Sequence, residues 1–154
     1  MKRDPAFEKL SVGIITFYSK QVDILFEEAT NRGYAEQNKD GSYSIAPDFQ
    51  MTKSGDEKLR IGSVDSFQGK EFDVVILSTV RSNDIERTDE NYLKVFGFLT
   101  LFNRLNVAFS RAKKMIIVAG DSKMFNDEYA RKYTEGLYEF CTSFSKDEKY
   151  GARI

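Results

Sequence analysis

The stretch RLNVAFSRAKKMIIVAGD, residues 104–121, joins an amphipathic segment to an apolar, β-branched run. Apolar side chains recur at helical spacing through residues 100–113, which predicts a helix there. These side chains are Leu101, Leu105, Ala108 and Ala112. The run MIIVAG (115–120) predicts a strand directly after the helix. A helix that leads into a buried strand is typical of α/β proteins.

Three further apolar runs predict strands in the same sheet. SVGIITF (11–17) precedes a helix that Ser19 can cap and that Gly33 ends. LRIGSVD (59–65) predicts a second strand. Residues 72–80 contain DVVILSTV, an apolar run without alternation, which suits a central parallel strand covered on both faces.

The segments between these elements are polar. Residues 34–58 carry turn signals and predict a surface insertion in which SYSI (42–45) forms one short edge strand. Residues 83–95 are charged and predict a surface loop. Apolar side chains at helical spacing predict a last amphipathic helix over 133–144, and the charged residues 145–154 predict a frayed tail.

Composition bounds the possible function. The 154 residues suit one domain, and 23 basic against 24 acidic side chains leave a net charge of −1. Any nucleic-acid binding must therefore come from local patches. The chain has no histidine, which excludes histidine-based catalysis and zinc sites, and its single cysteine, Cys141, cannot form an internal disulfide. We expect an intracellular, cytoplasmic setting and no membrane partner, because no apolar run is long enough to span a bilayer.

Two polar segments sit where chemistry is possible. Arg111 lies at the predicted helix–strand junction, where a fixed cation can reach a phosphate held by another domain. Spacing alone favours a surface arginine on an amphipathic helix. Gly69 permits a tight turn before a strand, and Glu71 beside it can accept a hydrogen bond from a ribose hydroxyl or orient an arginine.

These segments, taken in order, resemble a known family. ITFYSKQ (15–21), DSFQGKEFD (65–73) and NVAFSRAK (106–113) are similar to motifs IV, V and VI of superfamily 1 helicases, most closely the 5′→3′ branch that includes the nonsense-mediated-decay helicase. Phe17 stands where the family commonly has proline. The resemblance implies an α/β, three-layer RecA-like domain of the P-loop NTPase type over residues 1–154, with a mainly parallel sheet and helices on both faces.

The resemblance also implies roles for particular residues. Arg111 would be the catalytic finger arginine. The residues implied to bind nucleotide are Gln68, Gly69, Glu71, Tyr18 and Gln21. The residues implied to contact nucleic acid are Thr16, Ser63, Ser66, Arg81 and Asn83. Two alternatives stay open: Phe17 or Tyr18 could pack under the following helix, and Arg81 could brace the helix that precedes Arg111 instead of contacting a phosphate.

The implied function is that of the second motor domain of an ATP-dependent helicase or translocase. Single-stranded DNA or RNA and an N-terminal RecA-like domain would be its partners. The sequence has no G-x-x-x-x-G-K-[ST] motif and no paired-acid motif, so ATP and Mg²⁺ would be held mainly by that first domain, and this chain alone would be inactive. No metal ligand is assigned here.

Two other functions remain possible. One is a catalytically inactive RecA-like interaction module, which the joint presence of Arg111, Glu71 and Gln68 disfavours. The other is a motor of the same kind that is fused to a nuclease or acts in DNA repair.

Overall fold

The computed structural model describes residues 9–149 and 151–152. The chain divides into two compact units. The first unit comprises the residues up to Ser78 together with Val107–Val118, and the second comprises Thr79–Asn106 and the residues from Ala119 onward. Each unit is described separately.

The strands are β1 (Val12–Thr16), β2 (Ala35–Gln37), β3 (Tyr43–Ile45), β4 (Leu59–Ser63), β5 (Phe72–Ser78) and β6 (Ala112–Ala119). The helices are α1 (Ser19–Asn31), α2 (Tyr92–Phe96), α3 (Phe102–Phe109), α4 (Glu128–Tyr133) and α5 (Glu135–Thr142). Short 3₁₀ turns occupy Pro47–Phe49, Val64–Phe67, Gly97–Thr100, Ser122–Phe125 and Phe144–Lys146.

A four-stranded sheet with the order β4–β1–β5–β6 organises the first unit. Strand β1 runs parallel to both of its neighbours. At its carboxyl end, Thr16 lies opposite Ser63 on one side and Ser78 on the other. The sheet confirms the predicted α/β, RecA-like class, because strand, helix and parallel strand follow one another as in that architecture.

One face of this sheet is covered by α1 and a hairpin. Ala29 of α1, Ala35 of β2 and Ile61 of β4 form a buried cluster on that face. The hairpin of β2 and β3 is antiparallel. The ring of Phe26 stacks on that of Tyr43, with centroids 5.5 Å apart. Residues 34–58 are mostly exposed, as predicted for a surface segment, and the predicted short strand at 42–45 is present as β3. The additional strand β2 and the aromatic stacking on α1 were not predicted.

The other face carries a short return of the chain. Because β4 and β5 are both parallel to β1, residues 64–71 must lead back from the carboxyl end of one strand to the amino end of the next. They do so through the 3₁₀ turn Val64–Phe67, with Phe67 fully buried. Gly13 and Gly62 make this possible, because a Cβ on either glycine would lie within 3 Å of a side-chain atom of the return or of β5.

Several predicted boundaries were wrong. Helix α3 ends at Phe109, so Ala112 and the two lysines after it begin β6 instead of ending the helix. Strand β6 thus begins before the apolar run 115–120 and includes Ala112 and both lysines. The N-cap residue of α1 is Tyr18, whose side chain makes no capping hydrogen bond, so Ser19 is not the cap.

The second unit contains more structure than predicted. Helix α2 begins inside the expected charged loop. The last helix predicted over 133–144 is present as α5, and an unpredicted helix, α4, precedes it and ends before Thr134. Arg87 fastens the loop by donating to the Asp127 carboxylate and, at 2.9 Å, to the Lys123 carbonyl. The predicted frayed tail lies partly outside the described residues.

A strained turn opens this unit. Val80 has φ +63°, and the Arg81 N–H donates to the Thr79 carbonyl at 2.7 Å, which is the geometry of a classic γ-turn. A β-branched residue rarely adopts positive φ. The Thr79 N–H donates to the Ala119 carbonyl at 3.0 Å and so fixes the residue before the turn.

Across residues 9–149 and 151–152, no helix combines the length and the apolar character that a membrane crossing requires.

A network of polar side chains connects the amino ends of three strands in the first unit. The Asp73 carboxylate of β5 accepts hydrogen bonds from the N–H and hydroxyl of Ser11, at 3.0 and 3.2 Å. It also pairs with Lys114 of β6 at 2.8 Å. The Lys114 ammonium, together with the Ser11 bonds, holds the pKa of the Asp73 carboxyl below its ordinary value of 3.8.

We expect Asp73→Asn to lower the free energy of unfolding by about 1–3 kcal/mol at pH 7, because charge-assisted hydrogen bonds are lost. The pKa of Asp73 is lower in the folded state, so its stabilisation is present above pH 3.8 and disappears as the pH falls through the folded-state pKa. Denaturant titrations of both proteins across this range check this. Asp48→Asn, an exposed carboxylate, is the control. A difference that does not shrink at low pH contradicts the assignment.

We expect Gly13→Ala to destabilise the chain by about 1–3 kcal/mol, because overpacking a close contact forces neighbours to move. The new Cβ would lie 2.7 Å from Cε1 of Phe67 and 2.9 Å from Cδ2 of Phe72. Chemical denaturation measures the loss. Phe67→Leu removes part of the clash, so the double variant should cost less than the two single variants together. Strictly additive costs would contradict the proposed contact.

Candidate functional site

Arg111 lies in the turn between α3 and β6. Its Nε donates to the Val107 carbonyl at 3.1 Å, and its Nη2 donates to the Ser110 hydroxyl at 2.8 Å. Its Nη1 donates to the Lys70 carbonyl at 3.3 Å. A guanidinium has five N–H groups. Among the contacts that described residues supply, these three bonds leave one N–H on each Nη without a partner.

The second segment predicted to bind nucleotide is the turn Gln68–Glu71. Gly69 has φ +74°, a conformation that glycine adopts without strain. The Lys70 N–H donates to the Phe67 carbonyl at 3.0 Å and closes the turn. All four residues of the turn are exposed, so the side chains of Gln68 and Glu71 are accessible from solvent.

The structure brings these two elements together. Besides the bond from Arg111 Nη1 to the Lys70 carbonyl, the Phe72 N–H donates to the Arg111 carbonyl at 2.9 Å. The finger candidate and the turn with Glu71 therefore share one edge of the sheet, at the amino ends of β5 and β6. The sequence predicted that both elements face a nucleotide but not that they are bonded to each other.

A polar cavity of about 280 Å³ opens beside this turn. Its walls come from the start of β1, the polar turn 52–57, the start of β5 and β6. The lining residues are Lys9, Ser11, Thr52, Ser54, Asp56, Glu57, Lys70, Glu71, Phe72, Asp73 and Lys113. Sequence reasoning missed Lys113 because the helix predicted over 100–113 included this lysine. Its position in β6 instead places it on the same cavity as Glu71.

The structure does not bring Tyr18 and Gln21 to this edge. Both are partly exposed and follow the carboxyl end of β1, where α1 begins. Glu71 and Arg111 lie at the amino ends of β5 and β6. Phe17 is buried, so one of the two aromatic side chains packs inside the unit. The nucleotide role of Tyr18 and Gln21 stays a prediction that this geometry does not support.

The carboxyl edge of the sheet instead gathers hydroxyl side chains. Thr16, Ser63 and Ser78 lie side by side on adjacent parallel strands and point to one face. The Thr16 side chain is fully buried, and its hydroxyl has no hydrogen-bond partner among the residues that the structure describes. Ser66 is exposed, and its hydroxyl donates to the Ser63 carbonyl at 2.7 Å. Ser78 was not predicted, since only the strand register reveals it.

Arg81 and Asn83 belong to the second unit and are used within it. Arg81 Nη1 donates to the Lys94 carbonyl at 3.1 Å, and Asn83 Nδ2 donates to the Val95 carbonyl at 3.0 Å. Both side chains thus satisfy carbonyls of α2. The sequence left open whether Arg81 contacts a phosphate or braces the helix before Arg111. The helix that it contacts is α2.

Comparison with known proteins identifies the family of this chain. A family model described as an AAA domain matches residues 2–123. Probable RNA helicase armi of Drosophila melanogaster is 40% identical over 111 residues, which cover 71% of this chain and 7% of that protein. The Regulator of nonsense transcripts 1 homolog of the same species is 38% identical over 93 residues, 60% of this chain and 7% of that protein.

A third relative is named as a DNA helicase. DNA polymerase alpha-associated DNA helicase A of Schizosaccharomyces pombe is 41% identical over 92 residues, 58% of this chain and 13% of that protein. The chain thus spans a small part of the length of each relative. The match over residues 2–123 covers most of this chain, and the three segments that resemble helicase motifs all lie within it. The chain belongs to the AAA-domain family and to the nonsense-mediated-decay-like branch of superfamily 1 helicases, as a C-terminal RecA-like domain.

Proposed function

We propose that this chain is the second motor domain of an ATP-dependent nucleic-acid helicase or translocase. It supplies Arg111 as the arginine finger and part of the track for a single strand. The names of its relatives support both an RNA and a DNA substrate. An N-terminal RecA-like domain is the partner that completes the nucleotide site.

The geometry of Arg111 carries this proposal. Its side chain is held at Nε and at both terminal nitrogens, by the Val107 carbonyl, the Ser110 hydroxyl and the Lys70 carbonyl. The two remaining N–H groups form part of a planar fork that suits two phosphate oxygens. A donor that is already fixed stabilises developing charge without reorganising during the reaction.

The turn Gln68–Glu71 supports the same assignment. The exposed Glu71 carboxylate can accept hydrogen bonds from ribose hydroxyls, and Gln68 offers an amide beside it. Bound Mg²⁺ would neutralise charge on the phosphates. Within the described residues, no three histidine, cysteine, aspartate or glutamate side chains form a group that could hold a metal ion. We propose that the first domain holds the Mg²⁺ ion.

We propose that the strand track runs along the carboxyl edge of the sheet. Ser63 and Ser66 are accessible there, and hydroxyl contacts to phosphate or sugar position a strand without reading its sequence. Thr16 is buried beneath this edge, so its role in the track is indirect in this arrangement. Binding should accordingly be sensitive to salt and nearly indifferent to base composition.

The first test is Arg111→Ala in the motor that contains this chain. We expect kcat for ATP hydrolysis to fall by about 10³–10⁵-fold, since a finger arginine acts on the transition state. Arg111→Lys should recover little, because lysine lacks the planar fork. Arg104→Ala, on the helix that precedes Arg111 and with its guanidinium carbon 6.0 Å from the Phe98 ring centroid, is the matched control. Unchanged hydrolysis by Arg111→Ala would favour the inactive interaction module.

The second test uses the 154-residue chain alone. We expect no ATP hydrolysis above background, with or without single-stranded nucleic acid, because the chain has no phosphate-binding loop. A coupled assay for released phosphate measures this. Arg111→Ala is the control for a contaminating ATPase. If the chain alone hydrolyses ATP and Arg111→Ala abolishes that hydrolysis, the proposal that a separate first domain is needed to bind ATP is refuted.

A further inference from the structure

Glu57 and Arg60 form a bidentate pair at the start of β4, here called the Glu57–Arg60 clamp. Arg60 Nε donates to Glu57 Oε1 at 2.8 Å, and Arg60 Nη2 donates to Glu57 Oε2 at 2.9 Å. The Arg60 and Glu57 side chains are 27% and 29% exposed, respectively. A planar, partly buried pair of this kind fixes both side chains in one geometry.

The clamp holds the chain return 64–71 near both of its ends. At one end, Arg60 Nη1 donates to the Ser66 carbonyl at 3.0 Å, and its guanidinium carbon lies 5.9 Å from the Phe67 ring centroid. At the other end, Glu57 Oε2 lies 3.7 Å from the ammonium of Lys70, whose side chain is 53% exposed, so this contact is weaker than the bond to Ser66. The Glu57–Arg60 pair thus contacts residues on both sides of Gly69.

Lys70 connects this clamp to the finger candidate. Its side chain faces Glu57, while its carbonyl accepts the hydrogen bond from Arg111 Nη1. The next residue is Glu71, and the Phe72 N–H donates to the Arg111 carbonyl. A shift of Lys70 would therefore move the acceptor that orients Arg111 and would displace Glu71 with it.

We propose that Glu57 and Arg60 are positioning residues for nucleotide hydrolysis, acting through Lys70 on Glu71 and Arg111. This inference rests on the proposed function of Arg111. The contrast with another pair in the same unit supports it. Arg32 and Glu28 are as close, at 2.6 Å, but are 68% and 55% exposed and lie within α1. Such exposed pairs contribute little.

The structural test measures amide hydrogen exchange in the 154-residue chain. The Lys70 amide donates to the Phe67 carbonyl and the Phe72 amide to the Arg111 carbonyl, so both report on the turn. In Arg60→Met we expect both amides to exchange at least about tenfold faster by local opening. Arg32→Met, the matched control, should leave them unchanged. Glu57→Gln is a second variant in case Arg60→Met does not fold, which thermal melting reveals.

The functional test measures ATP hydrolysis in the motor that contains this chain. We expect Arg60→Met and Glu57→Gln to lower kcat by about 10–100-fold with little change in KM, since a small misplacement of a catalytic group acts on the transition state. Arg60→Lys should resemble Arg60→Met, because lysine keeps the charge but cannot bond to Glu57 and Ser66 together. Arg32→Met should retain full activity.

The outcomes separate the clamp from the proposed function. Faster exchange together with a lower kcat supports the clamp. Unchanged amide exchange in the clamp variants overturns the proposed positioning role, and so does faster amide exchange with a normal kcat. Loss of hydrolysis in Arg111→Ala but not in Arg60→Met overturns the clamp alone. Normal hydrolysis in Arg111→Ala overturns the proposed function and the positioning role with it.

Discussion

The first unit depends on the close approach of the chain return to two glycines of the sheet, with Phe67 against Gly13 and Ser66 against Gly62. Parallel strands are usually joined by a helical crossover, yet residues 64–71 connect β4 to β5 with one 3₁₀ turn. Gly13 and Gly62 lack the Cβ atoms that would exclude this return. The burial of Phe67 then fixes where the chain emerges, and it emerges as the exposed turn that carries Gln68 and Glu71.

This return separates two kinds of polar residue along the same strands. The hydroxyl groups of Thr16, Ser63 and Ser78 lie at the carboxyl edge, whereas Arg111 and Glu71 lie at the amino edge. A five-residue strand places these edges about 16 Å apart. Under the proposed function, the nucleotide side and the strand side would thus be joined by a stiff parallel sheet, which suits a domain that moves as one body during closure.

The sequence predicted well what depends on local pattern. Strands β1, β4 and β5 were placed within two residues at each end, because central parallel strands are continuous apolar runs. The end of α3 was misplaced, since Ala112 fits a helical stripe and a strand equally. Of the hairpin, only β3 was predicted, because its packing through the contact of Phe26 with Tyr43 joins distant segments. Which edge of the sheet Tyr18 occupies could not be predicted, because that depends on the directions of the strands. The Glu57–Arg60 clamp has no sequence signature.

The misplaced end of α3 changes how Arg111 is held. A helix would fix its backbone through regular hydrogen bonds, but Arg111 lies in a turn beyond the helix. Its guanidinium position therefore depends on neighbours, and one of them, Lys70, is 41 residues away in sequence. Since the Val107 carbonyl of α3 accepts from Arg111 Nε and the Lys70 carbonyl accepts from Nη1, the position of this side chain depends on the return segment as well as on the preceding helix. Substitutions that loosen residues 64–71 should thus affect Arg111 although they lie far from it in sequence.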